Sequence, residues 1–293
     1  MRLKTAILMF AVAGVAHAED KASKAPAPAA VTPTATAEIT GRLEAITSKS
    51  SGATSNVPAF AFTGNLTLDP PSSFDVARMG FADTTLADPK RTQVAMPSPD
   101  TAWISASLSE FSQCGKAGCA KTAPDSTVRA VALFEKVGDA WQPVAWSITP
   151  SIHAKAQAEA LEDGVMPDAI AARTEGADDV VKLFTSSMAD PKALAATFAD
   201  RKDVLLHGSE NSERYAGPQA KATIAKWGFG FTVRDGTRAG MAKSGTVAWV
   251  AANVDAKSAK KPKAKALPFR VFALYEKIAG QWKLVQIQFS TAV

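Results

Sequence analysis

The chain has 293 residues, with 33 Lys and Arg against 28 Asp and Glu, three His and two Cys. A structural zinc site takes four ligands at characteristic spacings, and no such set is present, so no metal or other cofactor is expected. The small positive excess gives little reason to expect a polyanionic partner.

Met1-Arg2-Leu3-Lys4 is short and basic, residues 5–15 carry no charge, and Ala16-His17-Ala18 offers a small-x-small cleavage site. These are the three regions of a secretory signal peptide. The apolar run is shorter than the about 20 residues of a membrane-spanning helix. Residues 1–18 are therefore read as a signal peptide, and the protein as exported (periplasmic or secreted) with no membrane span. Cleavage after Ala18 leaves 31 basic and 28 acidic residues, a net charge of +3, and two histidines, His153 and His207. Residues 19–37 are rich in Ala, Pro, Lys and Thr and hold no aromatic residue. Such a segment buries too little surface to offset its ordering entropy, so it is read as a flexible leader.

From there the chain repeats itself. Thr101-Ala-Trp-Ile-Ser-Ala-Ser-Leu108 matches Val247-Ala-Trp-Val-Ala-Ala-Asn-Val254, and Arg129-Ala-Val-Ala-Leu-Phe-Glu-Lys-Val137 matches Arg270-Val-Phe-Ala-Leu-Tyr-Glu-Lys-Ile278. Trp141 then pairs with Trp282, and Val144 with Val285. The offset drops from 146 to 141 residues between the blocks, so the connecting loops differ by five residues. Self-similarity of this kind marks a tandem domain: a first copy over 38–150, a linker over 151–177 and a second copy over 178–293. The linker contains helix-compatible stretches at 154–161 and 167–173.

The first copy's loop carries Cys114-Gly-Lys-Ala-Gly-Cys119. An oxidising compartment allows a disulfide here, worth about 2 kcal/mol for so short a loop. The spacing is not the C-x-x-C of redox-active pairs. The corresponding loop of the second copy, 255–267, holds five lysines and Pro262 and reads as a solvated hairpin tip.

In the second copy, helical patterns cover 178–188, 192–198 and 218–227, with a short strand at 204–207 between them. Strands follow at 246–254, 268–278 and 281–289, the last two joined by a tight turn at Ala279-Gly280. The order argues for an α+β domain, with helices on one face of a curved antiparallel sheet and a concave pocket between them.

Phe198-Ala-Asp, Val204-Leu-Leu-His-Gly-Ser209, Ala216-Gly217 opening a helix, Trp249 and Tyr275-Glu-Lys-Ile-Ala-Gly-Gln-Trp-Lys-Leu-Val285 resemble the NTF2-like superfamily, in its SnoaL-like and ketosteroid-isomerase-like branch. The resemblance covers 178–293 well and 39–150 through the internal repeat. It implies two tandem cone-shaped domains, each with an apolar pocket, and dimerisation through the sheet. Two linked copies would then form a monomeric pseudo-dimer, or the chain a homodimer.

In the isomerase branch a carboxylate on the short strand is the general base, with a tyrosine and a protonated aspartate opposite it. The resemblance places that base at His207, with Thr63 as its counterpart in the first copy. Arg270 stands where the aspartate would be and could hold a developing negative charge. It recurs as Arg129 in the copy that lacks the base. Trp227, Trp249, Tyr275 and Gln288 are the candidate ligand-binding residues. Gln286 and Gln288 alternate with Val285, Ile287 and Phe289, so the two sets face opposite sides of the sheet. Inward-facing glutamines would anchor a ligand; outward-facing ones would be solvated or lie between the two copies.

The favoured reading is a non-catalytic binding protein for a small apolar molecule or a protein partner. One alternative is an isomerase- or cyclase-like enzyme using His207, and another is a structural interaction protein. Nucleic-acid binding is disfavoured, because the lysines of the loop have no aromatic residues among them.

Overall fold

A computed structural model describes residues 31–47, 59–61, 67–68, 86–109, 112–115, 118–121, 128–150, 170, 172–210, 212–234, 236–258, 260 and 263–291. The signal peptide, most of the leader, Thr63 and linker residues 151–169 lie outside the described residues.

The first copy opens with helix α1 (Pro33–Thr47), whose first turn lies inside the segment read as leader. Strands β1 (Ala59–Ala61), β2 (Thr67–Leu68), β3 (Leu86–Ala87), β4 (Gln93–Ser98), β5 (Thr101–Ser109), β6 (Ser112–Gly115), β7 (Gly118–Lys121), β8 (Val128–Val137) and β9 (Ala140–Pro150) follow. The second copy comprises β10 (Arg173–Glu175), α2 (Asp178–Met188), α3 (Pro191–Thr197), β11 (Leu205–His207), β12 (Arg214–Ala216), α4 (Pro218–Ala225), β13 (Phe229–Val233), β14 (Arg238–Met241), β15 (Val247–Ser258), β16 (Leu267–Ile278) and β17 (Gln281–Ser290). The main elements fall where hydrophobic periodicity puts them. The linker differs, since residues 173–175 form a strand that pairs with β14.

One sheet runs β2-β1-β9-β8-β5-β3, with β4 also on β5. The other runs β10-β14-β15-β16-β17-β11-β12, with β13 also on β15. Both contain the same core: an antiparallel three-strand meander whose last strand takes a parallel neighbour, β1 on β9 and β11 on β17. The last hairpin of each copy is irregular at the same place. Leu133 pairs with Ala145 and Phe134 with Pro143, while Leu274 pairs with Gln286 and Tyr275 with Leu284. One residue is passed over each time, Val144 and Val285, the two positions the repeat aligns. A β-bulge kept in both copies fixes the bend of each sheet. Ala279 and Gly280 have φ of 48° and 79°, the left-handed pair that a two-residue hairpin of this type requires.

The two sheets stack. One face of the first sheet, with Ile104, Phe134, Trp146 and Ile148, is covered by Ile39, Leu43 and Ile46 of α1. Its other face gives Trp103, Val131, Leu133 and Ala145 to the core of the second copy. The second sheet is covered on its far side by α2, α3 and α4, through Val180, Phe184, Met188, Leu194 and Ile224. The layer order is helix, sheet, sheet, helices. Sandwiching buries β15, β16 and β17 on both faces, which is why their apolar runs are nearly continuous.

Candidate functional site

The second sheet divides the predicted site residues between its two faces. Gln288 is paired with His207 on one side and Phe272 on the other. Arg270, Phe272, Glu276 and Trp249 share that face by alternation. It points at the first copy: Gln288 Nε2 donates to Thr149 Oγ1 at 2.5 Å, and Trp103 Nε1 donates to Glu276 Oε1 at 2.6 Å. Of the places open to the glutamines, the structure selects the one between the two copies. Tyr275, Ile287 and Phe289 face the helices. There the Phe289 ring stacks on Phe231 at 4.9 Å and meets Trp227 edge-on at 5.3 Å.

Within the seam His207 is 1 % exposed, and among the described residues neither ring nitrogen has a hydrogen-bond partner. Burial holds its pKa well below 6.5, reinforced by the charges of Arg129 and Arg214. The neighbouring Gln288 side chain works weakly in the opposite direction. Arg270 is 3 % exposed, and its Nε donates to Asn253 Oδ1 at 3.0 Å. Its repeat partner Arg129 reaches across to donate to the carbonyls of Gly208 and Glu210, just beyond His207. Burial lowers the Arg129 pKa to about 10, so it remains a cation at neutral pH. By strand register the first-copy counterpart of His207 is Phe60, which pairs with Ser147 as His207 pairs with Gln288. This replaces the alignment with Thr63.

The titration of His207 has a measurable consequence. Below pH 6.5 the unfolded chain takes up a proton that native His207 refuses, while above it both states are neutral. Stability is therefore expected to fall with pH below that point, by up to about 1.4 kcal/mol per unit, until the depressed native pKa is reached. Urea midpoints of the wild type and His207→Leu between about pH 6.5 and 5 check this; the same slope in both would assign it to other groups.

A second feature of the seam carries no local sequence signal. Arg201 lies between two acids, meeting Glu276 at 2.5 and 3.1 Å and Asp203 at 2.8 and 2.9 Å. Burial works against its charge, but the bonds to Glu276 and Asp203 prevail and its pKa is raised. Arg201 and Glu276 meet within the second copy, and the stacking of the sheets brings Trp103 to them.

On the helix side Tyr275 is fully buried, and among the described residues its hydroxyl has no partner. Burial raises its pKa far above 10, so it is a neutral phenol. Its cross-strand neighbour Leu284 bridges to Phe198 at the end of α3. Trp227 is elsewhere. It stacks on Phe229 at 5.1 Å and meets Phe231 edge-on at 5.7 Å, and Phe231 also contacts Phe269 at 6.2 Å. Phe269 and Tyr275 lie six residues apart on β16, about 20 Å, so these two candidates are at opposite ends of the concave face. Trp227, Phe229 and Phe269 are only partly buried. Gly230 allows this cluster to form: a Cβ there would come within 2.1 Å of the Ala189 carbonyl oxygen at the end of α2. The alternating Phe229-Gly-Phe231 pattern was the sequence signal for it. A separate concavity of about 620 Å³, between α3 and α4, is lined by none of the predicted site residues.

Cys114 and Cys119 stand directly opposite each other in the β6–β7 register, and their side chains lie outside the described residues.

Residues 171–293 match the family described as a SnoaL-like domain. The second copy is a SnoaL-like domain. Solved structures similar to this chain include a candidate ketosteroid isomerase from Parabacteroides distasonis, 18 % identical with a TM-score of 0.32, covering 38 % of this chain and 84 % of that one. An NTF2-like protein of unknown function from Shewanella oneidensis is 19 % identical with a TM-score of 0.30, covering 39 % and 97 %. An NTF2-like protein from Cytophaga hutchinsonii is 14 % identical with a TM-score of 0.32, covering 40 % and 98 %. No curated protein matches. The SnoaL-like match begins at residue 171, so the kinship of the first copy rests on the repeat, the shared strand order and the shared bulge.

Proposed function

We propose that the chain is an exported, non-catalytic binding protein, whose SnoaL-like domain takes a small apolar molecule at the Trp227 end of its concave face. The observation that carries this reading is the five-ring cluster of Trp227, Phe229, Phe231, Phe269 and Phe289, left partly open at that end. Partly exposed aromatic rings in contact with one another offer flat apolar walls to a ligand. His207 and Arg270, the groups suited to proton transfer and charge stabilisation, are instead buried in the seam, where Arg270 bonds to Asn253 and the His207 ring is held neutral. The first copy acts as a permanent sheet partner, so a dimer-like assembly is contained in one chain.

Native mass spectrometry of residues 19–293, recovered from the periplasm of an expression host, tests the reading. The expected result is a monomer that retains a small apolar molecule, with a two-dalton loss from a Cys114–Cys119 bond. Trp227→Ala is expected to lose the retained molecule while keeping the monomer mass. An empty wild-type monomer that also fails to bind a hydrophobic fluorescent dye would overturn the proposal.

A further inference from the structure

We infer that the Trp227 end of the second copy is a docking surface for an anionic lipid bilayer. The register of three strands brings two kinds of residue together there. Phe229 is opposite Ser258, Phe231 is opposite Ala256, and Ala256 is opposite Leu267. The hairpin that leaves the sheet beyond Ser258 and returns at Leu267 therefore emerges beside the rings. It carries Lys260, Lys263 and Lys265, with Lys257 at its base. Lys226 adjoins Trp227 from the other side. Lys226, Lys257, Lys260, Lys263 and Lys265 are exposed. Among the described residues, no acid pairs with Lys226, Lys257, Lys260 or Lys263.

The charge of the whole molecule is segregated in the same direction. Residues 178–293 hold 18 Lys and Arg against 10 Asp and Glu, a net +8; residues 19–177 hold 13 against 18, a net −5. The small overall charge conceals this, and such asymmetry orients a protein in the field of an anionic surface. Lysines near an anionic leaflet are attracted to it, and tryptophan favours the headgroup boundary, where its ring is half buried and its N–H stays wet. No helix among the described residues is long and apolar enough to cross a membrane, so contact through this edge would be peripheral. A nucleic acid fits the patch less well. The rings pack against one another, stacked or edge-on, rather than standing apart to receive successive bases.

The inference does not depend on a ligand being held, and the test keeps the two apart. Residues 19–293 are sedimented with vesicles of mixed phosphatidylglycerol and phosphatidylcholine, and with pure phosphatidylcholine. Binding is expected to the anionic vesicles alone, and to weaken at least about tenfold between roughly 50 and 500 mM salt. Replacing Lys257, Lys260, Lys263 and Lys265 by Gln is expected to weaken it at least about tenfold. The thermal midpoint and any retained apolar molecule should be unchanged, since these side chains are exposed. Trp227→Ala is expected to weaken vesicle binding several-fold as well. No sedimentation with anionic vesicles at low salt, equal binding to phosphatidylcholine, or an undiminished Gln variant would each overturn the inference. So would binding of short DNA or a soluble polyanion in place of vesicles.

Discussion

Trp103→Ala is expected to destabilise the whole protein by about 3–5 kcal/mol, although Trp103 lies outside the SnoaL-like domain. The side chain is fully buried in the seam, contributes to the core of the second copy, and donates its indole hydrogen to Glu276 Oε1. Truncation removes the ring from a packed interface and leaves a carboxylate short of a donor, so both terms act in the same direction. Total stabilities of single domains are about 5–15 kcal/mol, which makes this loss a large share. Trp103→Phe keeps most of the volume and loses the hydrogen bond, and a smaller loss of about 1.5–3 kcal/mol is expected for a donor to a charged acceptor. Urea unfolding followed by tryptophan fluorescence and by far-ultraviolet circular dichroism reads out both the size and the cooperativity. If the copies are one unit, both probes shift together to a single lower midpoint. Two separated transitions, with the later one unmoved, would mean that the copies fold independently.

The seam also explains what the sequence could reveal about the fold and what it could not. The three long meander strands of each copy were legible because β-branched and aromatic residues cluster between turn signals. Val144 and Val285, aligned by the repeat, are the residues passed over at the bulge of the two hairpins, a bulge that only the strand register reveals. Short strands were not legible: in the second copy β10, β12 and β14 are three or four residues long, too brief to show a period. Their pairing is dictated by neighbours distant in sequence. Alternation along β17 separated Gln286 and Gln288 from Ile287 and Phe289, but alternation has no sign. It cannot say which set meets the helices. That depends on whether the outer face is wet or covered, and a tandem partner covers it.

The same ambiguity governed the candidate site. His207, Arg270, Trp249 and Gln288 were grouped with Trp227 and Tyr275, and the sheet puts the first four on one side and Tyr275 on the other. A buried imidazole with both nitrogens unpartnered and a buried arginine bound to Asn253 are invisible in single-residue matches, because burial is a property of what packs on top. The aromatic cluster was more legible. Trp227-Gly-Phe-Gly-Phe231 places three rings at alternate positions, and only their convergence on Phe269 and Phe289 needed the structure. The hairpin lysines read as solvated, and Lys257, Lys260, Lys263 and Lys265 are exposed. Their proximity to those rings follows from the pairing of β13 with β15.

Glu276→Ala is expected to cost about 3 kcal/mol, the low end of the range for breaking a buried ion pair by removing one partner. Its side chain is 3 % exposed and accepts from both Arg201 and Trp103, so the change strips two donors at once. Arg201 keeps Asp203, which is why the upper end of the range is not expected. The repeat supplies an internal comparison. Glu135 is the same position in the first copy, 9 % exposed, and accepts from the backbone N–H of Lys243. With no arginine left behind, Glu135→Ala is expected to lose only about 1–2 kcal/mol. The exposed Lys221–Asp200 pair, at 41 % and 71 % exposure, should contribute under about 1 kcal/mol, so Asp200→Ala serves as the surface control. Combining Glu276→Ala with Trp103→Phe should cost less than the two single losses added, because both remove the same hydrogen bond. Additive losses in that cycle would show that Trp103 and Glu276 stabilise the seam separately, not through the bond between them.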